Sequence, residues 1–228
     1  MDNDSLVIVA KDPEKGKVKT RLIPYMGQKK SRDFYEAMLL ETISLANRCD
    51  FFDEIGLFYR SAKSNNYFRK FKNKGIKVLK QRGIDLGEVF LDIFERLSSS
   101  SRRVIIIGSD SPTLPLDYLK ISLRILLSYS IVLGPALDGG FYLIGVDMKK
   151  FKQKKPDYLN IFDDVNWSTK KTLTDVINNL KKRELSYGLI PEWYDIDGPD
   201  DLELLRESFI KSRDDEYTRL KKLFSDIS

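Results

Sequence analysis

Val104-Ile105-Ile106-Ile107-Gly108-Ser109-Asp110-Ser111-Pro112 is the stretch that decides the fold. A β-branched run stopped by Gly, Ser and Pro reads as a buried parallel strand ending in a small-residue turn. In open α/β sheets, ligands sit just beyond the carboxyl ends of such strands. Asp110 therefore stands where a substrate or a metal is expected. Gly108 and Ser109 leave its approach uncrowded, and Pro112 fixes the exit.

Working outward, the same grammar repeats. Leu6 to Ala10 reads as a first strand, followed by a basic loop from Lys11 to Pro24. Ser31 to Arg48 places Phe34, Ala37, Met38 and Leu45 at helical spacing. Strands are expected at Ile55–Tyr59 and Ile76–Leu79, with a short helix around Tyr67, Phe68 and Phe71 between them, closed by Gly75. Asp85, with Glu88 three residues on, predicts a capped helix over Leu86–Leu97. After the Val104 strand come a helix over Leu116–Leu127 and a strand at Ile131–Leu133. The Asp138-Gly139-Gly140 turn then leads into a strand at Phe141–Val146. A polar excursion runs from Lys149 to Asn166, and Ser168 or Thr169 caps a helix through Leu180. A last strand is expected at Trp193–Ile196, with Pro199 at a first helical position. The final amphipathic helix uses Tyr217, Leu220, Leu223, Phe224 and Ile227.

Strands alternating with helices predict a mostly parallel sheet covered on both faces. The Asp138 turn adds an antiparallel strand, so the sheet is expected to be mixed. The 228 residues suffice for one α/β domain, residues 1–228, with a C-terminal helical extension from about 209. No apolar stretch reaches the length of a membrane span, and the acidic start is too polar for a signal peptide, so a cytoplasmic protein is expected.

The chain has no histidine and one cysteine, Cys49. That removes the commonest general base and metal ligand, together with Ser-His-Asp triads, thiolate zinc sites and disulfide frameworks. Catalysis must rest on carboxylates, Lys, Arg, hydroxyls, backbone amides or a metal held by oxygen. The net charge of +5 comes from lysines scattered over helix faces and loops, which speaks for solvation rather than nucleic-acid binding.

After the first strand, Lys11, Lys15, Lys17, Lys19 and Arg21 alternate around Gly16. An extended loop would converge these cations, as a diphosphate requires. The spacing is neither that of a P-loop nor that of a dinucleotide fingerprint. Asp110, Asp138 and Asp197 stand at expected strand ends. Hard oxygen ligands of this kind suit Mg²⁺ or Mn²⁺ bridging to a substrate phosphate.

Lys17-Val18-Lys19-Thr20-Arg21-Leu22, Gln81 to Glu88, Ile107 to Pro112, Gly134 to Gly145, Trp167-Ser168-Thr169 and Asp195 to Leu202 occur in that order. Together they resemble the blocks of a bacterial GT-A-fold family of nucleotide-diphospho-sugar transferase-like proteins, some associated with arsenosugar biosynthesis. The family is similar to the phospholactate and molybdenum-cofactor guanylyltransferases. The resemblance implies a GT-A fold, a nucleotide-sugar donor, a small-molecule acceptor and a divalent cation. Carried over by position, Lys11, Lys19 and Arg21 contact the donor phosphates, with Lys17 beside them. Asp85, Leu86, Gly87 and Glu88 shape the base and ribose end, and Gly139 and Gly140 lie at the substrate. Trp167 walls the acceptor site or packs in the core. Asp110 and Asp138 are the expected catalytic carboxylates. Asp110 holds the metal with Asp138, or else Asp197, as the second ligand, because Ser109-Asp110-Ser111 departs from the usual Asp-x-Asp pair. Asp138 or Asp197 takes the acceptor proton.

The leading expectation is glycosyl transfer from a nucleoside diphosphate sugar to a hydroxyl acceptor. Nucleotidyl transfer from a nucleoside triphosphate to a phosphorylated small molecule is the alternative, and a noncatalytic nucleotide-binding protein the second. The apolar stripe of the last helix is expected on the domain, with a homodimer contact as its other use.

Overall fold

The computed structural model describes residues 3–61, 67–72, 74–153, 157–213 and 215–225. Its sheet runs through β1 (Asp4–Lys11), β2 (Glu54–Arg60), β3 (Lys77–Lys80), β4 (Arg103–Gly108), β5 (Ile131–Pro135), β6 (Phe141–Asp147) and β7 (Tyr187–Leu189), in the order β3-β2-β1-β4-β6-β5-β7. Only β6 runs antiparallel to its neighbours, as the Asp138 turn requires. The helices are α1 (Ile23–Asn47), α2 (Arg69–Lys72), α3 (Leu86–Leu97), α4 (Leu116–Ser128), α5 (Met148–Gln153), α6 (Thr172–Lys182), α7 (Asp201–Lys211) and α8 (Thr218–Ser225).

Side chains alternate across the pleat and so build two cores. Leu6, Ile8, Ile105, Ile107 and Val132 face α1, α2 and α4, whereas Val7, Val104, Ile106 and Leu133 face α3, α5 and α6. A third cluster packs Leu202 and Leu205 of α7 and Leu220 of α8 on Phe34 and Met38 of α1. The stripe of the last helix thus covers the domain, as expected; Ile227 lies outside the described residues. Among the described residues no helix is long and apolar enough to cross a membrane.

The sequence pattern missed several elements. Trp193–Ile196 is extended but joins the sheet by a single bridge, Ala136 to Trp193. Its backbone otherwise bonds to loops, with Ile196 N donating to the Asp110 carbonyl at 2.9 Å. The edge position goes instead to β7. The polar excursion after Lys149 opens with the short α5, and α7 already runs across residue 209. α6 starts at Thr172 rather than directly behind Ser168 or Thr169; Thr169 Oγ1 accepts from Lys171 N at 3.2 Å, and Ser168 is left-handed. Asp200, not Gly198, is the residue before α7, so Pro199 precedes the helix. α1 begins upstream of Ser31, with a break at Gly27, whose φ of 78° interrupts the helical path.

Candidate active site

Strand order reverses between β1 and β4. From β1 the chain steps outward through β2 and β3, then returns to place β4 on the other side of β1. Ligand crevices of open α/β sheets form at such a switch point. A cleft of about 680 Å³ opens there, lined by the ends of β1 and β4, the start of β6 and the loop after β1.

The first wall is the basic loop. Lys11, Lys17, Lys19 and Arg21 all line the cleft, as does Asp110, so the cations and the β4 carboxylate share one space. Lys19 differs from the others. It takes a left-handed backbone, φ 45°, and its buried ammonium lies 2.7 Å from both Asp110 Oδ1 and Asp197 Oδ1. Burial opposes its charge, but the two carboxylates outweigh that and raise its pKa above the usual lysine value. Burial likewise acts to raise Asp197, yet Lys19 and Arg21 hold its carboxyl below the ordinary aspartate range. Arg21 is mostly exposed, 3.9 Å from Asp197 Oδ2.

The strand ends are tied together by side chains. The Tyr35 hydroxyl accepts from Lys11 N at 2.7 Å and lies 3.0 Å from Ser109 Oγ, joining β1 to β4. Gln81 Nε2 donates to the Ala10 and Phe58 carbonyls at 3.1 and 2.7 Å, which fixes the loop after β3. Arg60 Nη2 donates to the Gly83 carbonyl at 3.1 Å. Asp85 caps α3 as expected, its Oδ1 accepting from Glu88 N, whereas Glu88 Oε2 accepts from Ile84 N, one residue before the cap, rather than from Asp85 N.

Of the expected site residues, Asp85, Leu86, Trp167 and Asp197 also line the cleft; Gly87, Glu88, Asp138, Gly139 and Gly140 lie outside its lining. Glu88 serves the cap. Gly87 is a packing position beneath Phe162 and Trp167. Asp138 is exposed on the β5–β6 turn, where Oδ1 accepts from Gly140 N at 2.8 Å. Gly139, at φ 90°, lets the hairpin meet the start of α6; a Cβ there would stand 2.5 Å from the Lys170 carbonyl oxygen.

The expected set of carboxylates omitted Asp195. It lines the cleft, accepts a short hydrogen bond from Ser111 Oγ, and has no other protein hydrogen bond among the described residues. Burial, reinforced by Asp110 and opposed by Ser111 and Lys19, pushes its carboxyl up to about 7. Its position is set by Ile196 docking on the Asp110 carbonyl, a contact invisible in local sequence. Asp195 and Asp197 look alike in one dimension.

Among the described residues no group of three or more His, Cys, Asp or Glu converges as a metal cage. Asp110 and Asp197 do converge, on the Lys19 ammonium. Two carboxylates of hard oxygen match the usual protein share of a Mg²⁺ site, the remaining ligands being phosphate and water.

The fold is that of known transferase-like structures. A protein from Desulfovibrio desulfuricans G20, provisionally designated a nucleotide-diphospho-sugar transferase, superposes with a TM-score of 0.84 at 26% identity, over 100% of this chain and 99% of that one. The 4-diphosphocytidyl-2C-methyl-D-erythritol synthase of Anaerococcus prevotii DSM 20548 matches at 0.60 and 13% identity, over 92% and 97%. A cytidylyltransferase from Leptospira borgpetersenii matches at 0.54 and 14%, over 99% and 95%. The resemblance read from the sequence blocks is therefore borne out at the level of fold. No curated protein matches the chain. Residues 46–169 match the model of one family, and the chain belongs to it: the family described as uncharacterized protein conserved in bacteria, DUF2064.

Proposed function

We propose that the protein is a transferase that moves a sugar from a nucleoside diphosphate sugar to a hydroxyl-bearing small molecule. The observation that carries this reading is the convergence of Lys11, Lys17 and Arg21 with the Lys19–Asp110–Asp197 cluster in one cleft at the sheet's switch point. The likeness to the Desulfovibrio protein supports it.

The chemistry follows from the charges. As the bond between sugar and diphosphate breaks, negative charge grows on the departing oxygen. Arg21 and Lys11 stabilise that charge, with Arg21 able to grip two oxygens at once. Lys19 has a different role from its neighbours. Its ammonium is neutralised by two carboxylates, so it orders them rather than the phosphate. Asp110 and Asp197 would hold Mg²⁺ or Mn²⁺ together with the donor phosphates, and that ion would offset part of the leaving group's charge. Asp138 is engaged by Gly140, and Asp197 by Lys19. Asp195, with one oxygen toward Ser111, is the carboxylate free to accept a hydrogen bond from the acceptor hydroxyl.

The test is product identity. Incubation with nucleoside diphosphate sugars and Mg²⁺ should release nucleoside diphosphate, whereas pyrophosphate release from a nucleoside triphosphate would replace this reading with nucleotidyl transfer. That second reading is favoured by the cytidylyltransferase fold matches. A protein that binds nucleotides and turns over none would be the noncatalytic alternative.

A further inference from the structure

The cations and the Phe and Trp rings that line the cleft come from different elements. Every Lys and Arg that lines it comes from residues 11–21 or is Arg60, at the ends of β1 and β2. Phe90, Phe141 and Trp167 line it from α3, the start of β6 and the loop before α6, while Tyr35 of α1 and Tyr142 of β6 also contribute to the lining. Among the described residues, α3, β6 and the loop before α6 contribute no Lys or Arg to the lining.

Trp167 is held there by construction. Its ring centre lies 6.2 Å from Phe90, 6.3 Å from Phe141 and 5.7 Å from Phe162. Gly87 permits the approach, since a Cβ at that position would come within 2.6 Å of Phe162 Cβ and 3.1 Å of Trp167 Cζ2. The loop around the ring carries two non-glycine residues in left-handed conformations, Asp164 (φ 55°) and Ser168 (φ 59°). Such strain persists only where the surroundings over-determine it, and it concentrates at ligand sites. Asp175 supplies the restraint, accepting from Asn166 N at 3.0 Å and Asn166 Nδ2 at 2.8 Å, while Thr172 Oγ1 donates to the Asn166 carbonyl at 2.7 Å. The ring thus packs on the core along one side and stays partly exposed to the cleft along the other.

We propose that this aromatic wall is the acceptor subsite and that it takes an uncharged carbohydrate ring, its C–H face on Trp167 and its hydroxyl edge toward Asp195 and Ser168. A carbohydrate ring combines an apolar face with polar edges, as the cleft lining combines these aromatic rings with the Asp195 carboxylate and the Ser168 hydroxyl. The elements that carry these rings supply no cation to the lining, so a phosphorylated acceptor would gain no ion pair from them. The assignment rests on the transferase reading above and narrows its acceptor.

The chain has two tryptophans, and Trp193 packs on Tyr118 and Tyr194 rather than lining the cleft. A Trp193→Phe variant therefore makes Trp167 the sole indole emitter. It is titrated with methyl glucoside, methyl galactoside and methyl mannoside, and with the matching sugar 6-phosphates. At least one neutral glycoside should shift the emission saturably, at about a tenfold lower concentration than its phosphate. Equal or tighter binding of the phosphate, or no response to any neutral ring, overturns the proposal. Trp167→Phe, read by calorimetry, should weaken glycoside binding about fivefold while leaving the melting temperature within a few degrees. Unchanged binding would make Trp167 structural. UDP, CDP and GDP with Mg²⁺ separate the two readings by thermal shift. Nucleotide stabilisation without glycoside binding overturns the acceptor assignment alone. Glycoside binding without nucleotide stabilisation overturns the donor reading and leaves the aromatic wall.

Discussion

Lys19 and Asp197 are separated by 178 residues and meet at 2.7 Å, which ties the loop after β1 to the segment before α7. Asp110 completes the contact from β4. The cluster is at once a fastener of the fold and the floor of the cleft.

Removing the ammonium should therefore cost stability. Lys19→Met leaves Asp110 and Asp197 facing each other without the charge that reconciles them. Breaking a buried pair costs about 3–5 kcal/mol; because both carboxylates are close to half-exposed, a loss on the order of 2 kcal/mol is expected at pH 7. The pH sign follows from Asp197. Its carboxyl is held low in the folded protein, so its share of the stabilisation is present above the unfolded aspartate pKa and fades as pH falls through the folded value. Urea unfolding of wild type and variant should show the gap closing below about pH 4. A gap that widens in acid would contradict the assignment.

Asp195 behaves in the opposite sense. Burial, with Asp110 adding to it and Ser111 opposing, raises its carboxyl to about 7, so the folded chain keeps a proton that the unfolded chain has already released. By linkage, stability from this group declines as pH rises between the unfolded value near 4 and about 7. Asp195→Asn retains an oxygen for the Ser111 hydroxyl. With a chelator present, it should stabilise the protein by about 1–2 kcal/mol at pH 8 and be nearly neutral at pH 5. Thermal unfolding at the two pH values decides this, and equal effects at both would refute it.

How much of this was legible follows from contact distance. β1 and β4 announced themselves because a few β-branched residues bounded by turn residues have few other readings. The Asp85 cap of α3 was legible because its partner, Glu88 N, lies three residues away. The fate of Lys19 was not: as a member of an alternating basic loop it resembled Lys17 and Arg21, and only contacts with Asp110 and Asp197 distinguish it. Trp193–Ile196 looked like a strand because its composition is that of one, yet the hydrogen bonds that define a strand went to Tyr187–Leu189. Asp138 invited a catalytic reading by standing between an apolar run and two glycines. The turn uses the same residues for its geometry, Asp138 Oδ1 accepting from Gly140 N and Gly139 taking a φ of 90°.

The glycine pair gives a direct check on that geometry. Gly139→Ala places a methyl group 2.5 Å from the Lys170 carbonyl oxygen at a φ of 90°, so a loss above about 2 kcal/mol is expected. Gly140→Ala has 3.1 Å to Asp138 Oδ1 and should cost less than about 1 kcal/mol. Similar melting temperatures for the two variants would return Gly139 to the list of candidate ligand contacts.

Arg21 should show the reverse profile, with binding lost and stability kept. Its side chain is 70% exposed and stands 3.9 Å from Asp197, a contact worth little to the fold. Toward a diphosphate it offers charge-assisted hydrogen bonds, each worth about 1.5–3 kcal/mol. Arg21→Ala is therefore expected to weaken nucleoside diphosphate binding by about tenfold or more, with unfolding unchanged within about 0.5 kcal/mol. Wild type at a nucleotide concentration of 100 times its Kd gains about 2.7 kcal/mol; under the same conditions the variant should gain about 1.4 kcal/mol or less. Salt should narrow the difference, because the interaction is between an exposed charge and a mobile anion. Equal nucleotide stabilisation of both proteins at low salt would remove Arg21 from the phosphate site and leave Lys11 and Lys17 as the cations that face the donor.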